Sequence, residues 1–450
     1  MKTQAIYLTD LLLLRDLFAP GSDLYVLDPS KKLMGEQKGP CSGATGDPEA
    51  APLLVADLQS SSMRLYLSNS DEGPWMEMAF INNPDGSIRW FFPNHSREAG
   101  HLSLYNAASL KSGLYKTLTR LAWKLGQGSF LFSGSFLVQQ KLFETVQERY
   151  GMDDAESCSF FTGTRGATRK IVLHVQTGKR ESAFIKIPLT KEAEKLVENE
   201  YNMVKTLSNY DFSTLSLPSI SKRVNGHARL SDVKPRICIS AERITAIHIA
   251  ALAELYALSH ERKALSETEA WSTLCSNMDF LNRELVFINT IDQTATLRLV
   301  ELLRQLYLEL PQGLTVPVSV SHGDFTPWNM YCDEQRLYVY DWEMARNGIP
   351  MLFDLFHFSY QSVILQQRKN YPEVRDAIHS WSRQPLVMHM IQKYGIKVQL
   401  HHALYLLFNV SHYVRQYLGE KELLMQSQWM ITAWTAAIED SLSMMKKSIK

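Results

Sequence analysis

"SHGDFTPWN" (Ser321–Asn329) packs a histidine, an aspartate and an asparagine into nine residues, broken by Gly323 and Pro327. Glycine and proline at that spacing interrupt helix and strand alike, so Asp324 and Asn329, five apart, stand on a loop. Asp341 follows in "YDWEMA", seventeen residues after Asp324. Between them, "NMYCDEQRLYVYDW" reads as two short strands around a polar turn at Asp333–Gln335. A tight hairpin there would return Asp341 to the side of Asn329. Phosphoryl transfer asks for such a set. One carboxylate takes the acceptor hydroxyl's proton, while a second carboxylate and an amide oxygen hold the magnesium ions that bridge the nucleotide phosphates. Hard oxygen donors are what Mg2+ prefers.

Upstream, Lys186 lies in "SAFIKIP", inside a strand, where a charge is costly unless it is paired. Glu200 comes fourteen residues later on the following helix, "TKEAEKLVENEYNMVKTLS", for which Thr190 is a natural N-cap. A Lys186–Glu200 pair would aim the ammonium at the α- and β-phosphates of a nucleotide. Glu194 and Glu198 share that helix but fall on other faces. Before these, "FTGTRGATRKI" carries Gly163 and Gly166 without a full G-x-G-x-x-G. Taken alone it fits a plain hairpin turn better than a loop whose backbone N–H groups cover phosphates.

The rest of the chain sets bounds. Its 450 residues are enough for about three domains. Lys+Arg and Asp+Glu are equal at 47 each, which points away from nucleic acid. Five scattered cysteines with no C-x-x-C spacing argue for a reducing cytoplasm and against a disulfide framework or a zinc site. The apolar run Leu11–Leu14 is flanked by Asp10, Arg15 and Asp16, which argues against a signal peptide, and no stretch has the length of a membrane span. No internal repeat is visible.

Residues 1–145 read as an α+β domain of their own, with no role assigned. Residues 35–52, rich in Gly, Pro and Ser, are a loop. "PWMEMAFINNPDGSIRWFFP" is a hairpin turning at Asn83-Pro84-Asp85-Gly86. "SLKSGLYKTLTRLAWKLG" is an amphipathic helix with Lys116, Arg120 and Lys124 on one face and Leu114, Leu118, Leu121 and Leu125 elsewhere. Its basic side is an ordinary solvated face or, alternatively, a peripheral membrane contact through 111–124. From about 146 to 245 the chain is β-rich, with "KPRICISAERI" a further short strand. From 246 to 450 it is largely helical. The aromatics Trp381, Tyr405, Tyr413, Trp429 and Trp434 suit a helical core more than an acceptor pocket, and His402 and His412 have no metal spacing.

Together, "HGDFTPWN", "VYDWE", "IPMLFDLF", "AFIKI" and "ENEYNMVKTL" resemble the aminoglycoside phosphotransferase and choline kinase family over residues ~150–450. The resemblance implies a two-lobed, protein-kinase-like α+β fold, with a β-rich lobe at 146–245 and a helical lobe at 246–450. It implies a kinase that moves the γ-phosphate of ATP or GTP, with Mg2+, to a hydroxyl of a sugar, aminoglycoside or amino alcohol. Asp324 would be the catalytic base; Asn329 and Asp341 would hold the metal. Lys186, paired with Glu200, would contact the phosphates. The nucleotide would lie in the cleft between the lobes, its base near the backbone of Ala241–Arg243. His322 and Asp354 would support the catalytic loop, and Glu343 would lie near the metals or the acceptor. Gly323 and Thr326 replace the Arg and Lys typical of protein kinases, and Asp341 to Asp354 spans only thirteen residues. A protein substrate is therefore disfavoured. A non-catalytic nucleotide-binding or regulatory module on the same scaffold is the alternative.

Overall fold

A computed structural model describes residues 6–27, 33–34, 54–58, 63–68, 73–94, 102, 110–125, 132–163, 166–178, 181–225, 227–235, 238, 242–284, 293–418 and 425–448. The fold is mixed α+β, as the pattern of elements predicts. The chain divides into two compact units: residues 1–202 with 218–232, and residues 203–217 with 233–450.

The first unit is built on one eleven-stranded sheet. Across it, the strands run Ile220–Val224, His227–Ser231, Ser182–Pro188, Lys170–Gln176, Ser157–Phe161, Ile88–Pro93, Trp75–Asn82, Gly134–Gln139, Met63–Leu67, Leu54–Asp57 and Leu24–Leu27. The predicted hairpin is present: Trp75–Asn82 pairs antiparallel with Ile88–Pro93, and Gly86 takes the positive φ that the turn requires. The domain boundary expected near residue 145 is not a break in this sheet. Ile88–Pro93 pairs directly with Ser157–Phe161, Trp90 opposite Phe161 and Phe91 opposite Phe160. The rings of Phe91 and Phe160 stack in parallel, 4.6 Å apart, and both are fully buried. The hydroxyl of Thr162 donates to the Ile88 carbonyl at 2.7 Å. Asp10, buried on helix Leu8–Phe18, accepts from the Ile88 amide and faces Arg169 at 3.9 Å. One apolar core therefore runs from Leu11 to Ile187.

Helix Leu110–Lys124 departs from expectation. Lys116 is buried, at 8% exposure, while Leu114, Leu118, Leu121 and Leu125 are 54–67% exposed. Trp123 decides which side faces inward. It packs against Phe92 and Phe132, taking Thr119 and Lys116 in with it and turning the leucines out. Of the stretch 234–244, where a short strand is expected, Lys234, Pro235, Cys238 and 242–244 are irregular; its other residues, and the loop at 35–52, lie outside the described residues.

The second unit is mostly helical. The buried helix Val398–Tyr417 packs against Glu269–Glu284, Gln293–Leu308 and Met425–Ser448. Trp381, Tyr405 and Trp434 are core there. Strand Thr315–Ser321 lies between Glu261–Ala264 and Arg346–Pro350, and Leu337–Val339 lies between Leu215–Ser216 and Met330–Cys332. Among the described residues, Cys158, Cys238, Cys275 and Cys332 form no disulfide, and no helix is long and apolar enough to cross a membrane.

Phe160→Ala removes the ring that joins the two stretches of sheet. It is expected to destabilise the first unit by about 3–5 kcal/mol, measured by guanidinium unfolding.

Candidate active site

In the first unit, Lys186 lies on the interior strand Ser182–Pro188, flanked by Lys170–Gln176 and His227–Ser231. Its Nζ is 2.7 Å from Glu200 Oε2, and both side chains are buried. A charge in a strand interior is tolerated only with such a partner. Helix Lys191–Leu207 carries the glutamate. Thr190 caps it, accepting from the Ala193 amide at 3.0 Å while donating to the Ala167 carbonyl. Of the four glutamates on this helix, Glu200 is the one that meets the lysine; Glu198 accepts instead from Asn202. Gly163 closes the turn before Lys170–Gln176. Its φ is +70°, and a Cβ there would lie 2.3 Å from the Lys170 carbonyl oxygen, so only glycine fits. Gly166, at φ +150°, has open space around it.

In the second unit, the quoted loop begins where strand Thr315–Ser321 ends. Asp354, buried on helix Phe353–Tyr360, gathers the turn. Its Oδ1 accepts from the Ser321 hydroxyl (2.8 Å) and the Gly323 amide (3.0 Å), and its Oδ2 from the His322 amide (2.9 Å). Gly323 takes φ +82°, and a Cβ there would sit 2.3 Å from the Met344 carbonyl oxygen. Close backbone approach is thus the physical reason for glycine at this position. His322 accepts from the Asp324 amide through Nδ1 (3.3 Å) and donates through Nε2 to the Tyr340 carbonyl (3.1 Å). Burial lowers its pKa, against the pull of Asp354, Asp324 and Asp341. A neutral ring fits both contacts.

Hairpin Met330–Cys332/Leu337–Val339 forms as the spacing predicts, with Asp333 Oδ1 accepting from the Gln335 and Arg336 amides in its turn. It brings the chain back so that the Tyr340 amide donates to the Asn329 carbonyl at 3.1 Å, with Asp341 next in line. Asp341 has a left-handed backbone, φ 68°, an uncommon conformation that aspartate tolerates better than most residues. Trp342 behind it is fully buried, its indole donating to the Val339 carbonyl at 3.0 Å. Glu343 sits half-buried on the short turn Trp342–Met344. Arg243 is exposed ahead of helix Ala246–Ser259, and Ala241 lies outside the described residues.

Asp324 is held at both oxygens. Asn329 Nδ2 donates to Oδ2 at 2.8 Å and to the Asp324 carbonyl at 3.0 Å, and His357 Nε2 meets Oδ1 at 3.1 Å. The sequence reading missed His357. It is fully buried, and Tyr405 lies 3.5 Å from its Nδ1. Its signal was available, since it stands one helical turn after Asp354 in "FDLFHF". The two acceptors also fix the Asn329 amide: its nitrogen must face Asp324, so its oxygen turns away. That oxygen and the Asp341 carboxylate are hard donors of the kind Mg2+ takes.

Residues 166–366 match the family described as Phosphotransferase enzyme family. The search of curated proteins gives no match. Among solved structures, the chain is similar to the amicoumacin kinase hAmiN in complex with AMP-PNP and Ca2+, at 14% identity and TM-score 0.41, covering 67% of this chain and 93% of that one. It is similar to the GDP and kanamycin complex of an APH(2") aminoglycoside phosphotransferase, at 12% identity and TM-score 0.43, covering 68% and 99%. A ternary complex of aminoglycoside phosphotransferase APH(4)-Ia with ADP and hygromycin B gives 12% identity and TM-score 0.41, covering 66% and 97%. The family match thus spans less than half of the chain, and it includes Lys186, Glu200, Asp324, Asn329, Asp341, Asp354 and His357.

Proposed function

We propose that this protein is a small-molecule kinase that transfers the γ-phosphate of ATP or GTP to an alcohol group. The observation that carries the reading is the two-sided hold on Asp324 by Asn329 and His357. A carboxylate fixed in this way keeps further lone pairs for an acceptor hydroxyl. In the reaction, the hydroxyl oxygen attacks the γ-phosphorus and its proton passes to Asp324. The bond from the γ-phosphorus to the bridging oxygen breaks, and the nucleoside diphosphate leaves. Asn329 and Asp341 would hold Mg2+, which neutralises the phosphate charge that develops. Lys186, steadied by Glu200, would contact the phosphates, and the backbone around Gly163 and Gly166 would cover them. His357 orients the base, with Tyr405 behind it. Most of the rate would come from positioning and electrostatics.

A small acceptor is favoured over a peptide because the segment after Asp341 is used up in structure. Residues 346–350 pair with Thr315–Ser321, Ser321 opposite Arg346 and Val318 opposite Pro350, and helix Phe353–Tyr360 follows at once. No length remains for a peptide-binding activation segment.

A second reading concerns helix Leu110–Lys124. Its exposed leucine stripe is joined by exposed Arg120 and Lys124, and no Asp or Glu occurs between Glu98 and Glu144. Those features fit a peripheral contact with anionic lipid.

Asp324→Asn is expected to abolish phosphotransfer across a panel of hydroxylated metabolites while nucleotide binding persists. Unchanged turnover would remove Asp324 as the base, and no turnover by the wild-type protein would favour the non-catalytic alternative. Asp341→Ala is expected to lose the magnesium-dependent part of ATP binding in a calorimetric titration with and without Mg2+. The wild-type protein should sediment with vesicles containing phosphatidylserine, and not with phosphatidylcholine alone. Leu118→Glu should release it, and equal sedimentation of that variant would end the lipid reading.

A further inference from the structure

The second unit contains a cavity beside the loop that carries Asp324, floored by Ser321 and Gly323. Phe353, in its wall, stacks on His357, the residue that holds the base. Most of the remaining wall is apolar, with Leu274, Ile349 and Phe408 among it. Beside the neutral polar side chains of Thr273, Asn277 and Tyr413, two polar groups in the lining stand without a partner among the described residues. Arg346 lines the cavity half-buried, and its guanidinium makes no ion pair or hydrogen bond with any described residue. Asn409, on the buried helix Val398–Tyr417, is 4% exposed, and its amide nitrogen has no partner among the described residues. Among the described residues that line the cavity there is no Asp or Glu.

Each of these is costly without a ligand. A buried amide donor left unmade forfeits its hydrogen bond to water, and a guanidinium in an apolar wall lacks its counter-charge. His412, also in the lining, reports the same field. Burial pushes its pKa down to about 4, and Arg346, Arg415 and His357 act in the same direction. Arg415 is itself engaged by neutral groups, Asn277 Oδ1 at 3.0 Å and the face of Phe280 at 4.7 Å. The cavity therefore offers donors and positive charge to an apolar ligand. A polyamine would meet like charge there, with no lining carboxylate to receive it.

We propose that this cavity binds the acceptor, and that the acceptor is a hydroxylated small molecule carrying an oxyanion, a carboxylate or a phosphate, on an apolar body. Arg346 receives the oxyanion, the Asn409 amide donates to a ligand oxygen, and the aromatic wall covers the apolar part. This rests on the kinase reading for the word acceptor. The cavity's preference for an oxyanion stands on Arg346 and Asn409 alone.

The test separates the two. Full-length protein is titrated calorimetrically with hydroxymethylbenzoate, hydroxymethylphenyl phosphate, hydroxymethylbenzylamine and kanamycin. The first two compounds distinguish a carboxylate from a phosphate. At least one of them is expected to bind, and Arg346→Gln is expected to weaken that binding by about tenfold to a hundredfold, the loss of a charge-assisted contact. Asn409→Leu should weaken it less, and the two amines should not bind. Binding of kanamycin or the benzylamine as tight as that of the oxyanions, no oxyanion binding at all, or oxyanion binding indifferent to Arg346→Gln would each overturn the proposal. Phosphotransfer to the bound compound is then followed by mass spectrometry. An oxyanion that binds through Arg346 and is never phosphorylated leaves the cavity's chemistry intact and removes the kinase reading instead.

Discussion

Three hydrogen bonds to one buried carboxylate set the geometry on which the rest of the site depends. Asp354 takes the Ser321 hydroxyl and the backbone amides of His322 and Gly323, and it does so from a helix. The turn ahead of Asp324 is thereby fixed to a rigid element before any ligand arrives. Gly323 can then lie against the Met344 carbonyl, and His322 can bridge from the Asp324 amide to Tyr340. The loop and the strand that returns with Asp341 are thus stitched together through backbone groups. Orientation of this kind is what a reaction driven by positioning requires.

The same helix supplies the second restraint. Asp354 fixes the backbone, and His357, one turn later, fixes the carboxylate of Asp324 itself. Tyr405 and the stacked ring of Phe353 hold the histidine in turn. A side chain locked on two sides loses little further freedom when a substrate binds, so less of the binding free energy goes into ordering it.

Much of this was legible in the sequence because it is written in local chemistry. Gly323 and Pro327 forced a loop, the Asp333–Gln335 turn forced a hairpin, and Asp341 had to return to Asn329. Lys186 asked for a buried partner, and Glu200 was on the right face of a helix capped by Thr190. What escaped depended on long-range packing. His357 stands one turn after Asp354, yet the carboxylate it holds is 33 residues upstream, and that contact is made only by packing. The inward face of helix Leu110–Lys124 was set by Trp123 against Phe92 and Phe132, so its hydrophobic pattern pointed the wrong way. The joint at Phe91 and Phe160 was hidden for the same reason. Each strand reads alone as a complete β signal, and nothing in either says which neighbour it takes.

That joint has a consequence for how the chain could be divided. Strand Ser157–Phe161 is an interior strand only because Ile88–Pro93 lies on its open side. A protein begun at residue 146 would keep every phosphotransferase motif, yet it would present the backbone of "SCSFF" to solvent as a bare edge, with Phe160 stripped of its cover. Such an edge is a template for pairing with other chains. Ile88–Pro93 thus covers an edge that the residues after 146 would otherwise leave open.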